Sequence, residues 1–259
     1  MFNLSYDSAL IGFLIFIRIS GILFTLPIFG DEPTPVRVRV LLSVGLSIVI
    51  FPIVMPEWMD ALPKSGLELL FIVLKELFIG LSIGFISRLF FDGIVMAASL
   101  VGYQMGFGIA NLLIPDANIQ MNSFTAMHRI FLMLIFLVLN FHHTYVEVLV
   151  DSFRLIPCGM PELKGGLGEL FIYATASVFT VSVQLSAPVL VALMFTMAAL
   201  GLIARAVPQI NIFTMSFPTS FFIGLLVYVA SLPYFPEIVK TKFVENSRDI
   251  GSAIGWMTP

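Results

Sequence analysis

The decisive stretch of the sequence runs from Leu170 to Ala204 and reads LFIYATASVFTVSVQLSAPVLVALMFTMAALGLIA. It contains no Asp, Glu, Lys or Arg. A bilayer core about 30 Å thick needs roughly 20 helical residues per crossing, so this stretch is long for one crossing and short for two with a loop. Pro188 lies near its middle. The sequence therefore predicts either one long kinked helix or a tight helical hairpin in a membrane protein.

The composition of the whole chain agrees with a membrane protein. Hydrophobic residues make up 59% of its 259 residues and charged residues 11%, and the mean hydropathy is +1.03. Soluble chains carry roughly a quarter charged residues, so this chain has too little charge to cover its surface in water. Its net charge of -3 gives no basic excess, which argues against a nucleic-acid partner. The lone Cys158 can form no internal disulfide.

Other apolar runs recur along the chain. The clearest are 40–56, 93–115, 130–146 and 206–236, and the runs 8–30 and 69–91 are equally apolar but carry charges. Together they predict an all-α integral membrane protein with six or seven hydrophobic helical segments. The turns between them are rich in Pro and Gly, and none is long enough for a soluble domain. We expect a single domain over residues 1–259, with a short polar tail at about 237–259.

Six charged residues lie within or beside the apolar runs: Arg18, Lys75, Glu76, Arg88, Glu147 and Arg205. A charge facing lipid at a helix centre costs about 2.5 to 3.5 kcal/mol, so such residues should face protein or water. Alternatively, Arg88 and Arg205 reach the interface from helix ends, and Lys75 and its neighbour belong to an interfacial turn. Arg18 fits that alternative poorly, because ten uncharged residues precede it and twelve follow. We expect Arg18 in a buried contact or a water-filled passage.

A glycine-rich segment lies inside the run 93–115, where residues 102–111 read GYQMGFGIAN. Gly102 and Gly106 have the spacing that lets helix backbones approach closely, so ordinary helix packing is one interpretation. Three glycines in seven residues, followed by Pro115, also weaken a helix. Irregular backbone at membrane depth survives only where it is buried in protein or lines a cavity. The segment therefore favours a glycine-rich loop that interrupts one helical segment at a pore.

A polar turn follows Arg205, where Pro208 and Gln209 join two hydrophobic runs. Pro208 lacks a backbone donor and disfavours a helical Val207, so the helix should end there. We expect this turn to cap a hairpin or to contact a partner.

The sequence shows no pattern that points to chemistry. His142 and His143 are adjacent and His128 lies fourteen residues earlier, so no i, i+4 pair of metal ligands exists. Phosphate-binding loops and nucleophile elbows are absent as well. We expect no catalytic residue, no cofactor, no metal site and no enzymatic activity.

Taken in order, these residues resemble the FliR family of flagellar export-gate proteins, called SctT in type III secretion systems. The resemblance covers nearly the whole chain. Its most specific portions are Arg18 to Gly30 with Pro35 and Arg37, then Gly80 and Gly84, then Gly102, Gln104, Met105 and Gly106 with Pro115, then Asn140, Asp151, Phe153 and Pro157, and last Gly201, Arg205, Pro208, Gln209, Ile212, Phe213, Phe217 and Pro218. Each portion alone is weak, whereas their shared order and spacing are specific.

The resemblance implies a core component of the flagellar type III protein export gate. Such a protein forms a channel with FliP-like and FliQ-like subunits, with an FlhB-like subunit at its cytoplasmic entrance. The channel passes unfolded flagellar proteins and belongs to the flagellar basal body in the bacterial inner membrane. Its helices would be arranged as bent hairpins, some of them outside the lipid.

The resemblance also implies roles for particular residues. In the family, the loop matching residues 102–115 plugs the closed channel, so the plug residues here would be Gly102, Gln104, Met105, Gly106, Phe107, Gly108, Asn111 and Pro115. The expected buried charges or subunit contacts are Arg18, Lys75, Glu76, Arg205, Pro208 and Gln209.

The rival interpretation is a multi-pass secondary transporter for a small solute, bound between Arg18 and the break near Gly102. Transporters of that kind usually show paired broken helices in two related halves, and this sequence has one strong glycine break.

Overall fold

The computed structural model describes residues 6–26, 34–58, 65–107, 123–157, 166–209 and 211–258. Its helices are α1 (Tyr6–Thr25), α2 (Val36–Trp58), α3 (Gly66–Gln104), α4 (Ser123–Val138), α5 (Phe141–Leu155), α6 (Leu167–Ala206), α7 (Ile212–Ser231) and α8 (Phe235–Met257), with a short 3-10 turn at Leu232–Tyr234. No strand occurs in these ranges. The all-α prediction is confirmed.

Several of these helices suit a membrane by length and composition. Within the described residues, five stretches are long and apolar enough to cross it, namely α1, residues 36–54 of α2, α3, α6 and the stretch 214–257. The broken pair α4 and α5 would make a sixth span. The last stretch includes α8, which carries six charged residues, so its apolar part is α7.

Two helices are longer than the apolar runs suggest. α3 joins the runs 69–91 and 93–115 into one 39-residue helix that continues through Asp92. α6 is a single helix of 40 residues with Pro188 inside it, so the hairpin alternative is wrong. A proline removes one backbone hydrogen bond, and in a long apolar helix the remaining bonds and the neighbouring groups tolerate that loss.

The run 130–146, by contrast, is broken. α4 ends at Val138 and α5 begins at Phe141. Between them Asn140 adopts a left-handed backbone with φ 56° and ψ 27°. Asn tolerates that conformation better than most residues, since its short polar side chain bonds locally. The chain therefore bends at a residue suited to a bend.

Packing divides the chain into two compact units, each built from separated parts of the sequence. The first unit lies within residues 1–91, 140–175 and 244–259, and the second within 92–139 and 176–243. Three helices, α3, α6 and α8, run from one unit into the other. The segment expected as a polar C-terminal tail is thus the helix α8, whose Val239, Phe243 and Ile250 are buried.

In the first unit, α1 and α3 approach so closely that their backbones touch. A Cβ atom at Gly21 would lie 3.1 Å from the Cα atom of Gly80, and a Cβ atom at Gly80 would collide with the carbonyl oxygen of Arg18. One turn later, a Cβ atom at Gly84 would lie 2.8 Å from the Cβ atom of Thr25. The contacts progress in the same order along both helices, so α1 and α3 are parallel. Glycine at these positions permits the approach.

In the second unit, α6 packs by one narrow stripe. Its buried residues recur every three or four positions: Ser182, Ser186, Val189, Leu193, Thr196 and Leu200. The Ser182 hydroxyl donates a hydrogen bond of 2.8 Å to the carbonyl oxygen of Gly93 in α3. The other faces of α6 expose large apolar side chains, among them Phe179, Met194, Phe195 and Leu202. Such faces are suited to lipid or to other protein chains.

The contact at Gly80 predicts a position-specific effect on stability. Gly80→Ala should destabilise the chain by about 1–3 kcal/mol, because the added methyl group meets backbone that cannot rotate away. Gly45→Ala in α2 is the matched control, since nothing lies within 4 Å of its new Cβ atom and alanine favours helix. Reversible unfolding of the purified chain in mixed detergent micelles measures both variants. Equal stability of the two would contradict the close approach of α1 and α3.

Candidate functional site

The glycine-rich segment starts at a well-defined helix end. α3 continues through Gly102 and ends at Gln104. Gly106 has a positive φ of 92°. The amide of Gly106 donates to the carbonyl of Tyr103, and the amide of Phe107 donates to the carbonyl of Gly102, both at 3.0 Å. This pair of bonds is the Schellman arrangement, in which a glycine just past the helix satisfies the last carbonyl groups.

The side chains at this helix end are held in the second unit. Met105 is fully buried, and a Cβ atom at Gly224 in α7 would lie 2.7 Å from its Cγ atom. The ring of Phe107 lies 5.8 Å from that of Phe124 and 5.7 Å from that of Phe221, between centroids. The start of the segment is thus fixed by packing as well as by backbone bonds.

The expected plug residues fall in different environments. Gly102 is buried in the last turn of α3, Gln104 is half-buried, and Gly106 and Phe107 follow the helix. Gly108, Asn111 and Pro115 lie outside the described residues. The helix therefore persists through the first glycine, and its interruption begins at Gly106.

A second site lies in the first unit, where Arg18 of α1 is fully buried. Its Nε atom donates a hydrogen bond of 2.6 Å to Oε2 of Glu76 in α3, and this carboxylate is also fully buried. A buried charge is tolerated only when it is paired and hydrogen-bonded, and this pair meets both conditions.

Two further donors of Arg18 reach the end of α5. Nη1 donates to the carbonyl oxygen of Ser152 at 2.7 Å, and Nη2 to that of Ile156 at 3.1 Å. The guanidinium carbon also lies 4.6 Å from the centre of the Phe153 ring. A cation is favourable at a helix C-terminus, where the last carbonyls lack helical partners. Arg18 thereby joins α1, α3 and α5 at one point.

The other charged candidates are placed differently. Lys75 lies on the exposed side of α3, next to the buried Glu76, so the neighbouring pair is divided between surface and core. Arg205 lies in the last turn of α6, and Pro208 and Gln209 form an exposed turn after it. No cluster of three His, Cys, Asp or Glu residues suited to a metal ion occurs in the described part of the chain.

Sequence reasoning missed two groups of residues. The carbonyls of Ser152 and Ile156 carry no side-chain signal, so their role as acceptors for Arg18 was invisible. His128 was treated only as a possible metal ligand, whereas its ring lies in an aromatic cluster and its Nδ1 atom bonds the Tyr228 hydroxyl at 2.8 Å. The available hint was that Phe124 and His128 lie four residues apart and therefore on the same face of α4.

Comparison with known proteins settles the family. A profile of bacterial export proteins, family 1, matches residues 9–245. The chain belongs to this family. The match runs from the first turn of α1 into α8, and it includes Arg18, Glu76 and the helix end at Gly106.

Relatives of this export-family chain are similar to it in sequence over most of their length. The flagellar biosynthetic protein FliR of Bacillus subtilis is 28% identical over 251 residues, covering 93% of this chain and 95% of that protein. FliR of Escherichia coli K12 is 26% identical over 229 residues, covering 88% and 87%. FliR of Aquifex aeolicus is 29% identical over 231 residues, with the same coverage of 88% and 87%. The resemblance to the FliR family is confirmed.

The buried ion pair predicts a non-additive mutational pattern in this export-family protein. Arg18→Met or Glu76→Met alone should cost about 3–5 kcal/mol, because each leaves one unpaired charge in the core. The double variant should be more stable than either single one, since no charge remains buried. Unfolding in mixed micelles completes the double-mutant cycle.

The exposed pair of Arg154 and Asp151 is the control for that cycle. These side chains lie 3.8 Å apart and are 61% and 55% exposed. Arg154→Met should change the stability by less than about 1 kcal/mol, as surface ion pairs contribute little. A similar loss at both positions would mean that Arg18 is not buried against its partners.

The helix end predicts a backbone-specific effect at Gly106. Gly106→Ala should destabilise this end by about 1–2 kcal/mol, because a side chain disfavours a positive φ. Gly106→Asn should be milder, since Asn tolerates left-handed backbone. Amide hydrogen exchange at residues 102–107 measures the opening of the last turn. Equal exchange in both variants would contradict the Schellman termination.

Proposed function

We propose that the chain is a core component of the flagellar type III protein export gate in the bacterial inner membrane. It forms part of the channel together with FliP-like and FliQ-like subunits, with an FlhB-like subunit at the cytoplasmic side. Unfolded flagellar proteins pass through this channel. The observation that carries the proposal is the family match over residues 9–245, together with relatives named flagellar biosynthetic protein FliR.

The exposed apolar faces support an assembly with other subunits. Large apolar side chains cover the outer faces of α2 and α6 in addition to the stripes that pack inside the chain. In α2 these include Leu41, Ile48 and Val49, which are all more than half exposed. Neighbouring hydrophobic subunits and lipid are the partners that such faces suit.

The gating role falls to the glycine-rich segment. The plug residues are those expected from the family between Gly102 and Pro115, and within them the chain leaves the helix α3 after Gln104. Chain leaving a helix through a glycine can move aside without breaking further helical hydrogen bonds. Apolar and methionine side chains such as Met105 adapt to irregular surfaces and restrict the passage of ions. The mechanism requires no chemistry in this chain, in keeping with relatives named for flagellar biosynthesis.

The buried charges have a supporting role in this proposal. Arg18 and Glu76 hold α1, α3 and α5 together, while the exposed Lys75, Arg205, Pro208 and Gln209 are positions for subunit contact. A buried ion pair within the chain explains the position of Arg18 without a solute. By this argument, the transporter alternative no longer has Arg18 as its solute-binding residue.

Gentle extraction of the tagged chain from its native membrane tests the proposal. We expect a large particle that contains several small hydrophobic FliP-like and FliQ-like subunits, identified by mass spectrometry. Crosslinking through a residue placed at Leu202, 70% exposed on α6, should capture one of them. A lone monomer or homodimer that binds a small solute would instead favour the transporter.

The plug is tested separately by deleting Gly106 to Ile109. We expect the deletion to leave assembly intact and to raise ion leakage when the chain is expressed with its partners. The matched control is Gly201→Ala in α6, whose new Cβ atom meets nothing within 4 Å. Unchanged conductance in an assembled deletion variant would remove the plug assignment and leave the export-gate membership standing.

A further inference from the structure

An aromatic cluster in the second unit joins Phe107, which belongs to the glycine-rich segment, to Phe124 in α4. Its members come from the turn after α3 and from α4, α7 and α8, and they are Phe107, Phe124, His128, Phe221, Tyr228 and Phe235. Phe107 immediately precedes residues 108–122, and Phe124 lies just after them. The 5.8 Å distance between these two rings therefore holds together positions 17 residues apart in sequence. Holding two positions 17 residues apart in contact lowers chain entropy, so the contact must be stabilised by its surroundings.

Phe124 forms the centre of the cluster. Its ring meets that of Tyr228 edge to face, with 4.9 Å between centroids, and stacks on that of His128 at 6.3 Å. Phe124 is buried, with 4% of its surface exposed. The relative position of α4 and α7 sets where Phe107 can rest, because Phe107 packs on rings from both helices.

One polar contact fixes that position. His128 in α4 and Tyr228 in α7 are both buried, and Nδ1 of His128 lies 2.8 Å from the Tyr228 hydroxyl. The ring of Phe235 lies against that of His128, 4.8 Å away between centroids. Aromatic contacts tolerate sliding, whereas a hydrogen bond between buried groups has a narrow range of distance and angle. Its loss would also leave a buried polar group without its partner.

A cavity lies beside this contact. It is lined by Phe124, His128, Tyr228 and Phe235 together with apolar residues of α3 and α6. On the side of this cavity, fewer atoms pack against α4. The hydrogen bond is therefore the directional contact that fixes α4 against α7 here, beside the packing of Phe124 on Tyr228.

We propose that His128 and Tyr228 are positioning residues that keep Phe107 between Phe124 and Phe221; we call this contact of Phe107 with Phe124 the stem of the glycine-rich segment. This inference rests on the proposed function, because the plug is what the stem would position. The hydrogen bond acts through the aromatic cluster, in which both side chains are buried.

Distance measurements between spin labels test the stem directly in the full-length chain. Tyr103 in α3 and Met127 in α4 are exposed, at 59% and 51%, and lie on either side of residues 108–122 in the sequence. Labels at these positions, in a Cys158→Ser background, report the spread of distances across the stem. Tyr228→Phe removes one oxygen atom and keeps the ring, so the chain should still fold. We expect a displaced stem population that is roughly tenfold larger, as for the loss of one buried hydrogen bond.

Matched variants separate positioning from general stability. Tyr234→Phe removes a hydroxyl from a residue that is 70% exposed, and it should leave the distances unchanged. His128→Phe should broaden the distances as Tyr228→Phe does, while His128→Gln can still bond the hydroxyl and should restore most of the order. A distribution for Tyr228→Phe that equals the one for Tyr234→Phe would overturn the proposal.

Ion leakage of the assembled complex then links the stem to gating. We expect Tyr228→Phe to leak more than Tyr234→Phe, with equal subunit content in both particles. If Tyr228→Phe does not leak although the deletion of Gly106 to Ile109 does, the positioning role in gating is wrong. If Tyr228→Phe broadens the label distances but neither Tyr228→Phe nor the deletion of Gly106 to Ile109 leaks, the plug function fails. The hydrogen bond then keeps its role in ordering the stem.

Discussion

The first unit depends on one requirement, namely that the buried guanidinium of Arg18 must find an anionic partner and hydrogen-bond acceptors. It does so through Glu76 of α3 and the carbonyls of Ser152 and Ile156 at the end of α5. A buried ion pair adds little stability over well-packed apolar residues, but breaking it is severe. Alternative arrangements of α1, α3 and α5 would leave a charge unpaired in the core. The pair therefore specifies the arrangement more than it strengthens it.

That specification works only because glycine allows the helices to approach. Glu76 lies one helical turn before Gly80, and Gly84 follows one turn later, so all three share a face of α3. With a side chain at Gly80, α1 would be held away by the carbonyl of Arg18, and the 2.6 Å bond to Glu76 would lengthen. The ion pair thus requires the short glycine contact.

The sequence was enough to predict the helical class and the family. It did not predict which residues Arg18 bonds. Apolar runs and the scarcity of charge indicate helices because those signals are local. Arg18 bonds residues 58, 134 and 138 positions away, and a single sequence carries no record of such pairings. Asp92 looked like a boundary between two runs, yet α3 continues through it because one charge does not outweigh helical bonding along 39 residues. Predictions for Gly108, Asn111 and Pro115 lie outside the described residues.

Polar groups in apolar surroundings find their bonding partners in different ways in the two units. In the first, a full charge is neutralised by an opposite charge and by the carbonyls of a helix end. In the second, the carbonyls at the end of α3 are satisfied by the backbone itself, through the bonds that Gly106 allows. In both units, carbonyl groups at a helix end accept hydrogen bonds from the chain itself. Beyond the end of α3, Phe107 continues the chain through aromatic contacts. Apolar contacts can be exchanged for those of another subunit or a passing chain without uncovering a buried polar group, as the resealing gate proposed above would require.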